Sequence, residues 1–394
     1  MRKCARLCGI APWSVSRLKK RYLQYGEAIF IHGNTGKKPK NRKADYNFIL
    51  YYYQKYFSGV PYAVFYDYLK KNTDCNITYT NVWRILNKLG KKSPLARMTV
   101  REKRKHKPRT EREHEGELVQ IDGCLHDWFM NGHKVTLHGA IDDATHKIVA
   151  LYFCENECLL GYYQLLQRMK EKCSGFPRAI YSDRSSCFFV NKRQREKLTL
   201  QEQLHGLSQN QTQWQETCAR LSITLIAAHS PEAKGRIERL WKTLQSRLPY
   251  IFRFLRITSM EKANEWLLDF VDDFNAQFAV PAQDSALYWQ APPAGADFDF
   301  LFAVRSEKRT KADGSFVYHG YRFRLLSARA ANVRFTLCLS ERYGLRAYMD
   351  GKYYNVALLD ALCDCVSDTM PIVEKELLYR YFYADTHTGA ALVG

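Results

Sequence analysis

The sequence predicts a multidomain chain with three architectures in succession. All-α units of the helix-turn-helix type come first, then a central α/β core on a mixed sheet, then a small β-rich, barrel-like domain. Three observations carry this. Apolar residues recur at helical spacing up to about Leu89. Short β-branched runs alternate with helical stretches from Glu117 to about Phe278. From about Ser306 the pattern is strand-like, with hairpin dipeptides His319-Gly320 and Asp350-Gly351.

At 394 residues the chain is too long for one ordinary core. It holds 60 Lys plus Arg against 40 Asp plus Glu, a formal net charge of +20. Such a surplus attracts polyanions and points to nucleic acid. The charge is uneven: 12 basic and 2 acidic residues lie between Arg2 and Asp45, and 10 against 2 between Lys91 and Arg112. The 12 cysteines show no zinc-clip spacing, so free thiols in a reducing compartment are expected. The sequence has neither a signal-peptide pattern nor an apolar run of membrane length. A soluble, cytoplasmic, nucleoid-associated protein is expected.

The expected boundaries are a helix-turn-helix DNA-binding unit over 1–43, a second such unit over 44–92 and a basic linker over 93–116. The catalytic core follows over 117–280, the small β domain over 300–360 and a C-terminal tail over 361–394. In the first unit, Cys8-Gly9-Ile10 makes the turn and Ser14 to Tyr22 forms the second helix. Ser14 and Ser16 near its start, with Arg17, Lys19 and Lys20, make the face of a major-groove reader. Its first helix is short, so the unit reads as intact or truncated. In the second unit a helix over Tyr62 to Lys71 precedes one over Thr80 to Leu89, with Thr80 as the expected cap.

In the core, Leu118-Val119-Gln120-Ile121 reads as a short strand ending at Asp122. Strands over Lys134–Ile141 and Lys147–Phe153, a helix over Leu159–Lys172, a strand at Ala179-Ile180-Tyr181 ending at Asp183, and a strand over Ser222–Ala228 follow. The last helix starts near Pro231 to Arg236, with Ile237, Leu240, Trp241, Leu244 and Leu248 as its apolar stripe. Glu238 stands at the border of that stripe. The order implies three antiparallel strands, then parallel ones.

Asp122, Asp183 and Glu238 are the candidate catalytic residues and metal ligands. Ligands of open α/β sheets bind beyond strand ends, where the two aspartates converge. Three converging carboxylates repel one another unless a cation joins them. Hard oxygen donors select Mg²⁺ or Mn²⁺, and two such ions clamp the attacking and leaving oxygens of a phosphodiester. Lys234, Arg236 and Lys242 beside Glu238 are candidate DNA contacts.

The motifs Leu118-Val119-Gln120-Ile121-Asp122-Gly123, Gly139-Ala140-Ile141-Asp142-Asp143-Ala144-Thr145, Tyr181-Ser182-Asp183 and His229-Ser230-Pro231-Glu232-Ala233-Lys234-Gly235-Arg236-Ile237-Glu238-Arg239-Leu240-Trp241 resemble those of an integrase catalytic core. Over nearly its whole length the chain resembles bacterial insertion-sequence transposases of the ISNCY type. These have a retroviral-integrase-like, RNase H-like DDE core. The resemblance matches Asp122, Asp183 and Glu238 to the triad, leaves Glu232 out of it, and makes Asp142 and Asp143 a structural pair. The stretch between Asp183 and Glu238 is longer than in integrases, with the excess around 191–216 resembling an insertion in this group.

The resemblance implies metal-dependent cleavage at element ends and strand transfer into target DNA. The implied partners are double-stranded DNA and further copies of the chain. Two alternatives stay open on the sequence: a metal nuclease that cuts without joining, and an inactive DNA-binding derivative.

Overall fold

The computed structural model describes residues 2–31, 43–75, 77–88, 90, 111–190, 211–228, 235–361, 374, 377–378 and 381. Most of both basic linker runs, most of the stretch around 191–216, the C-terminal tail but for isolated residues, and His229 to Lys234 lie outside these. The chain divides into two compact units, Met1–Ala96 and Arg97–Gly394.

The first unit is all-α: α1 (Arg2–Cys8), α2 (Pro12–Tyr25), a 3₁₀ turn (Gly26–Phe30), α3 (Lys43–Tyr56), α4 (Tyr62–Asn72) and α5 (Tyr79–Asn87). Gly9, at φ 63°, makes the turn between α1 and α2, a conformation that suits glycine. Helix α2 starts at Pro12, two residues before Ser14, because proline's fixed φ and missing N–H suit a first turn. Ile49, Tyr53, Phe57, Phe65, Leu69, Val82 and Leu86 from α3, α4, α5 and the α3–α4 loop are fully buried. Thr80 is not the cap expected from the sequence. Helix α5 begins one residue before it, and the extended residue ahead of the helix is Thr78.

The second unit is built on a mixed sheet. Its strands include β1 (His114–Glu115), β2 (Leu118–His126), β3 (Val135–Asp142), β4 (Ile148–Cys154), β5 (Ala179–Ser182) and β6 (Thr224–Ala227). The five-stranded order is β4-β3-β2-β5-β6. Strands β2, β3 and β4 pair antiparallel, and β2-β5 and β5-β6 pair parallel, as the element order implied. Alternation along β2 sends Val119 and Ile121 to the core beneath α6 (Leu159–Cys173), while Cys124 joins the opposite face. That opposite face is covered by α8 (Gly235–Gln245), α9 (Leu248–Leu255) and α10 (Met260–Phe278). Helix α7 (Gln213–Arg220) opens with a reciprocal cap between Thr212 and Gln215.

Two sequence expectations change here. Leu248 does not continue the apolar stripe of α8, which ends at Gln245, but opens α9 with Pro249 behind it. Strand β2 does not end at Asp122. It runs on to His126, because β3 pairs with it as far as His126↔Val135.

Beyond β7 (Asp284–Leu287), which pairs with β1, and the short α11 (Phe298–Leu301), a six-stranded antiparallel sheet closes nearly into a barrel. It comprises β8 (Val304–Arg309), β9 (Ser315–Tyr318), β10 (Tyr321–Leu325), β11 (Arg334–Ser340), β12 (Gly344–Met349) and β13 (Lys352–Ala361). His319-Gly320 and Asp350-Gly351 carry positive φ at both residues, the geometry of a tight two-residue hairpin. The sheet docks firmly on the core. Gln213 makes two 2.7 Å bonds to the Arg305 backbone, and the buried Arg305 guanidinium pairs with Glu216 at 3.1 Å.

Gly161 in α6 lies over the fully buried His138 ring: an added Cβ would stand 2.5 Å from its Cε1. Gly161→Ala is therefore expected to lower stability by about 1–3 kcal/mol despite alanine's better helix propensity, as overpacking does. Thermal denaturation of the variant checks this, and a raised melting temperature contradicts it.

Candidate active site

The site begins with register. Gln120 on β2 pairs in parallel with Tyr181 on β5. β5 stops at Ser182, so β2 continues past its end with one side open. Asp122 stands two residues beyond Gln120 on β2, and Asp183 two residues beyond Tyr181, just past the end of β5, so both lie toward the same end of neighbouring strands. Both residues are half-buried. The Asp183 Oδ1 accepts a hydrogen bond from the Ser185 N–H at 2.9 Å.

Helix α8 supplies the third carboxylate, and three bonds at matched intervals hold it to β2. The Ile237 N–H donates to Gln120 Oε1 at 3.3 Å, the Trp241 indole N–H to Asp122 Oδ2 at 3.1 Å, and the Gln245 amide to Cys124 Sγ at 3.2 Å. Four helical residues rise about 6 Å and two strand residues about 6.6 Å, so helix and strand keep step. The helix contacts fall four residues apart and the strand contacts two. Glu238, half-buried in the first turn, thereby rides beside the stretch from Gln120 to Asp122.

A buried polar network fixes the start of that helix. The Gln120 amide donates to Asp143 Oδ1 at 2.9 Å, and the same oxygen accepts from Arg236 Nε at 3.3 Å. Arg236 Nη2 pairs with Glu111 at 2.7 Å, and Asp143 Oδ2 accepts from the Arg112 N–H at 3.1 Å. The hydrogen bond from Arg236 holds the Glu111 carboxyl below its ordinary pKa. Neighbouring Asp142 is fully buried, accepts from the Gly116 N–H and from Thr145, and has its carboxyl pKa raised by burial. Asp142 and Asp143 thus tie loops and helix to the sheet.

The other sequence candidates fall as follows. Arg236 is 7% exposed and engaged by two carboxylates, which makes it part of the internal network. Lys242 is exposed, one turn beyond Glu238. Lys234 and the rest of His229 to Lys234 lie outside the described residues. On α2, Ser14 is half-buried, while Ser16, Arg17, Lys19 and Lys20 are exposed, with the Arg17 guanidinium 5.5 Å from the Trp13 ring.

Among the described residues, no group of three His, Cys, Asp or Glu side chains is gathered tightly enough to hold a metal ion. The triad is therefore not closed in this structure, although the sequence reading had its carboxylates converge. The donor set itself fits a hard divalent cation: the residues are carboxylates, with Asp122 on β2 and Asp183 directly after the end of the neighbouring β5.

The transposase for insertion sequence IS1202 of Streptococcus pneumoniae is 28% identical over 97% of this chain and 84% of its own length. A Sinorhizobium fredii protein named as a transposase, y4bF, is 38% identical over 46% of this chain, which spans 38% of that relative's length. Over nearly its whole length the chain is thus similar to an insertion-sequence transposase. Its enzyme class is accordingly that of a DNA transposase.

No family model matches the chain. Among solved structures it is similar to a chain of the simian T-cell lymphotropic virus intasome in complex with PP2A regulatory subunit B56 gamma. That match has 14% identity, covers 73% of this chain and 93% of that chain, and has a TM-score of 0.34. The HTLV-2 integrase catalytic core domain in complex with magnesium is similar at 14% identity, covering 44% and 94%, with a TM-score of 0.30. Among the described residues no helix is long and apolar enough to cross a membrane.

Gln120 and Gly139 were not singled out as site-building residues from sequence, whereas Asp143 was expected as one of a structural pair. Two signals were present: an amide side chain within an apolar strand, and a glycine inside another strand where a side chain would normally pack. Asp143→Ala leaves Arg236 with only its half-exposed partner Glu111 and removes an acceptor from Gln120. It is expected to cost about 3–5 kcal/mol, as does breaking a buried ion pair. Hydrogen exchange over Gly235–Gln245 and thermal denaturation check this; unchanged protection in that helix contradicts it.

Proposed function

We propose that the chain cleaves DNA at the ends of an insertion sequence and joins the freed ends to target DNA. In this reading Asp122, Asp183 and Glu238 hold two Mg²⁺ or Mn²⁺ ions. The observation that carries it is the matched attachment of α8 to β2, which sets the turn bearing Glu238 beside Asp122. Ions bound there would stabilise charge on the attacking and leaving oxygens of a phosphodiester.

The chain's own residues supply the rest. Asp122 and Asp183 stand on or beside rigid strands, so their spacing is set by the sheet. Lys242, exposed on the same helix as Glu238, faces a phosphate of the bound end. Ser14, Ser16, Arg17, Lys19 and Lys20 on α2 read the end sequence in the major groove. The first reaction breaks a phosphodiester with water and frees a 3′-hydroxyl. In the second, that hydroxyl attacks a target phosphodiester, and the displaced 3′-oxygen of the target strand takes the proton. No covalent protein–DNA bond forms. Two ends must be held together, so more than one copy of the chain acts at once.

Asp122→Asn, Asp183→Asn and Glu238→Gln are each expected to lower cleavage and joining at least about 1,000-fold, about 4 kcal/mol of barrier. DNA binding should survive in each. A strand-transfer assay on paired end oligonucleotides with Mg²⁺ measures this. Full activity in Asp122→Asn would falsify the assignment, and cleavage without joined product in the wild type indicates a nuclease.

Lys242→Ala is expected to weaken binding to all DNA sequences alike and to reduce the salt dependence of the affinity by about one phosphate contact. Titrations at several salt concentrations check it. An unchanged slope removes Lys242 from the interface.

A further inference from the structure

We propose that Trp241 is a positioning residue for Asp122, made possible by Gly139. This rests on the reading of Asp122 as a metal ligand. The indole N–H donates to Asp122 Oδ2 at 3.1 Å. Indole is a donor only and stays neutral, so it can orient a carboxylate without cancelling its charge. A lysine or arginine in that place would orient the group and also compete with the cation. The indole engages one oxygen, Oδ2, and so biases the orientation of the carboxylate.

Two further observations make the contact specific. Gly139 is the residue directly opposite Asp122 in the β2-β3 ladder. A Cβ there would stand 2.5 Å from the far edge of the Trp241 ring. The ring therefore lies in the gap left by the missing side chain, on the face where Asp122 emerges. Trp241 is also 6% exposed and packs with Ile237, Leu240, Leu244, Leu137 and Leu151. Packing this tight locks the rotamer, so the indole N–H is held ready before any cation arrives.

The test is Mn²⁺ binding to the full chain by calorimetry, without DNA, for wild type, Trp241→Phe, Phe252→Leu and Asp122→Asn. Trp241→Phe keeps the apolar ring and deletes the donor. Phe252→Leu loosens the same apolar cluster away from Asp122. The expected result is an affinity about 10-fold lower or more in Trp241→Phe, as loss of an outer hydrogen bond to a metal ligand gives. Phe252→Leu should match the wild type, and Asp122→Asn should lose binding. Wild-type affinity in Trp241→Phe overturns the inference while leaving the site reading intact. An equal loss in Trp241→Phe and Phe252→Leu also overturns it, since packing alone then explains the effect. Unchanged binding in Asp122→Asn removes the site reading and the inference together.

Discussion

The equal step of one helix and one strand organises this protein. Helix α8 lies along β2 so that successive turns meet alternate strand residues, through Ile237–Gln120, Trp241–Asp122 and Gln245–Cys124. Apolar packing of Leu240, Leu244 and Ile237 would hold the helix to the sheet at many axial positions. Hydrogen bonds are directional and select one. A slip of a single residue would take the Ile237 N–H from Gln120 Oε1 and the Trp241 indole from Asp122, and shift Glu238 along β2.

This constraint explains why so much polarity is buried near a hydrophobic face. Gln120, Asp142, Asp143 and Arg236 are each under 10% exposed. Burial of such groups costs free energy unless their partners are complete. Here the bonds run from the sheet to the turn at Thr145, to the loop at Gly116 and to the first turn of α8. The network sits at the end of the helix nearest Glu238, while the opposite end is held by Gln245 on Cys124 Sγ and by apolar contacts. Specificity of position is thus concentrated at the end of α8 that carries Glu238.

Much of this was legible in the sequence, and the failures have physical causes. Strands β3 to β6 were found because their apolar runs are bounded by turn residues such as Asn131-Gly132 and Asp143 to His146. The hairpins at His319-Gly320 and Asp350-Gly351 were found because few residue pairs accept positive φ twice. Strands β8 and β13 were not, since Val-Arg-Ser-Glu-Lys-Arg and a run opening Lys-Tyr-Tyr-Asn show little apolar alternation; their pairing partners define them. Strand β2 was cut short at Asp122 because the sequence could not show that β3 extends beside it. Arg236 looked like a surface cation because its partners, Glu111 and Asp143, are far from it along the chain.

The central claim is that Asp122, Asp183 and Glu238 close around divalent cations. The most direct measurement is a structure of the chain with Mn²⁺ and an end oligonucleotide, read by anomalous scattering at the metal edge. The account predicts anomalous peaks bounded by oxygens of all three side chains. Peaks held elsewhere, or a Glu238 carboxylate that stays out of contact while the two aspartates bind, would contradict it.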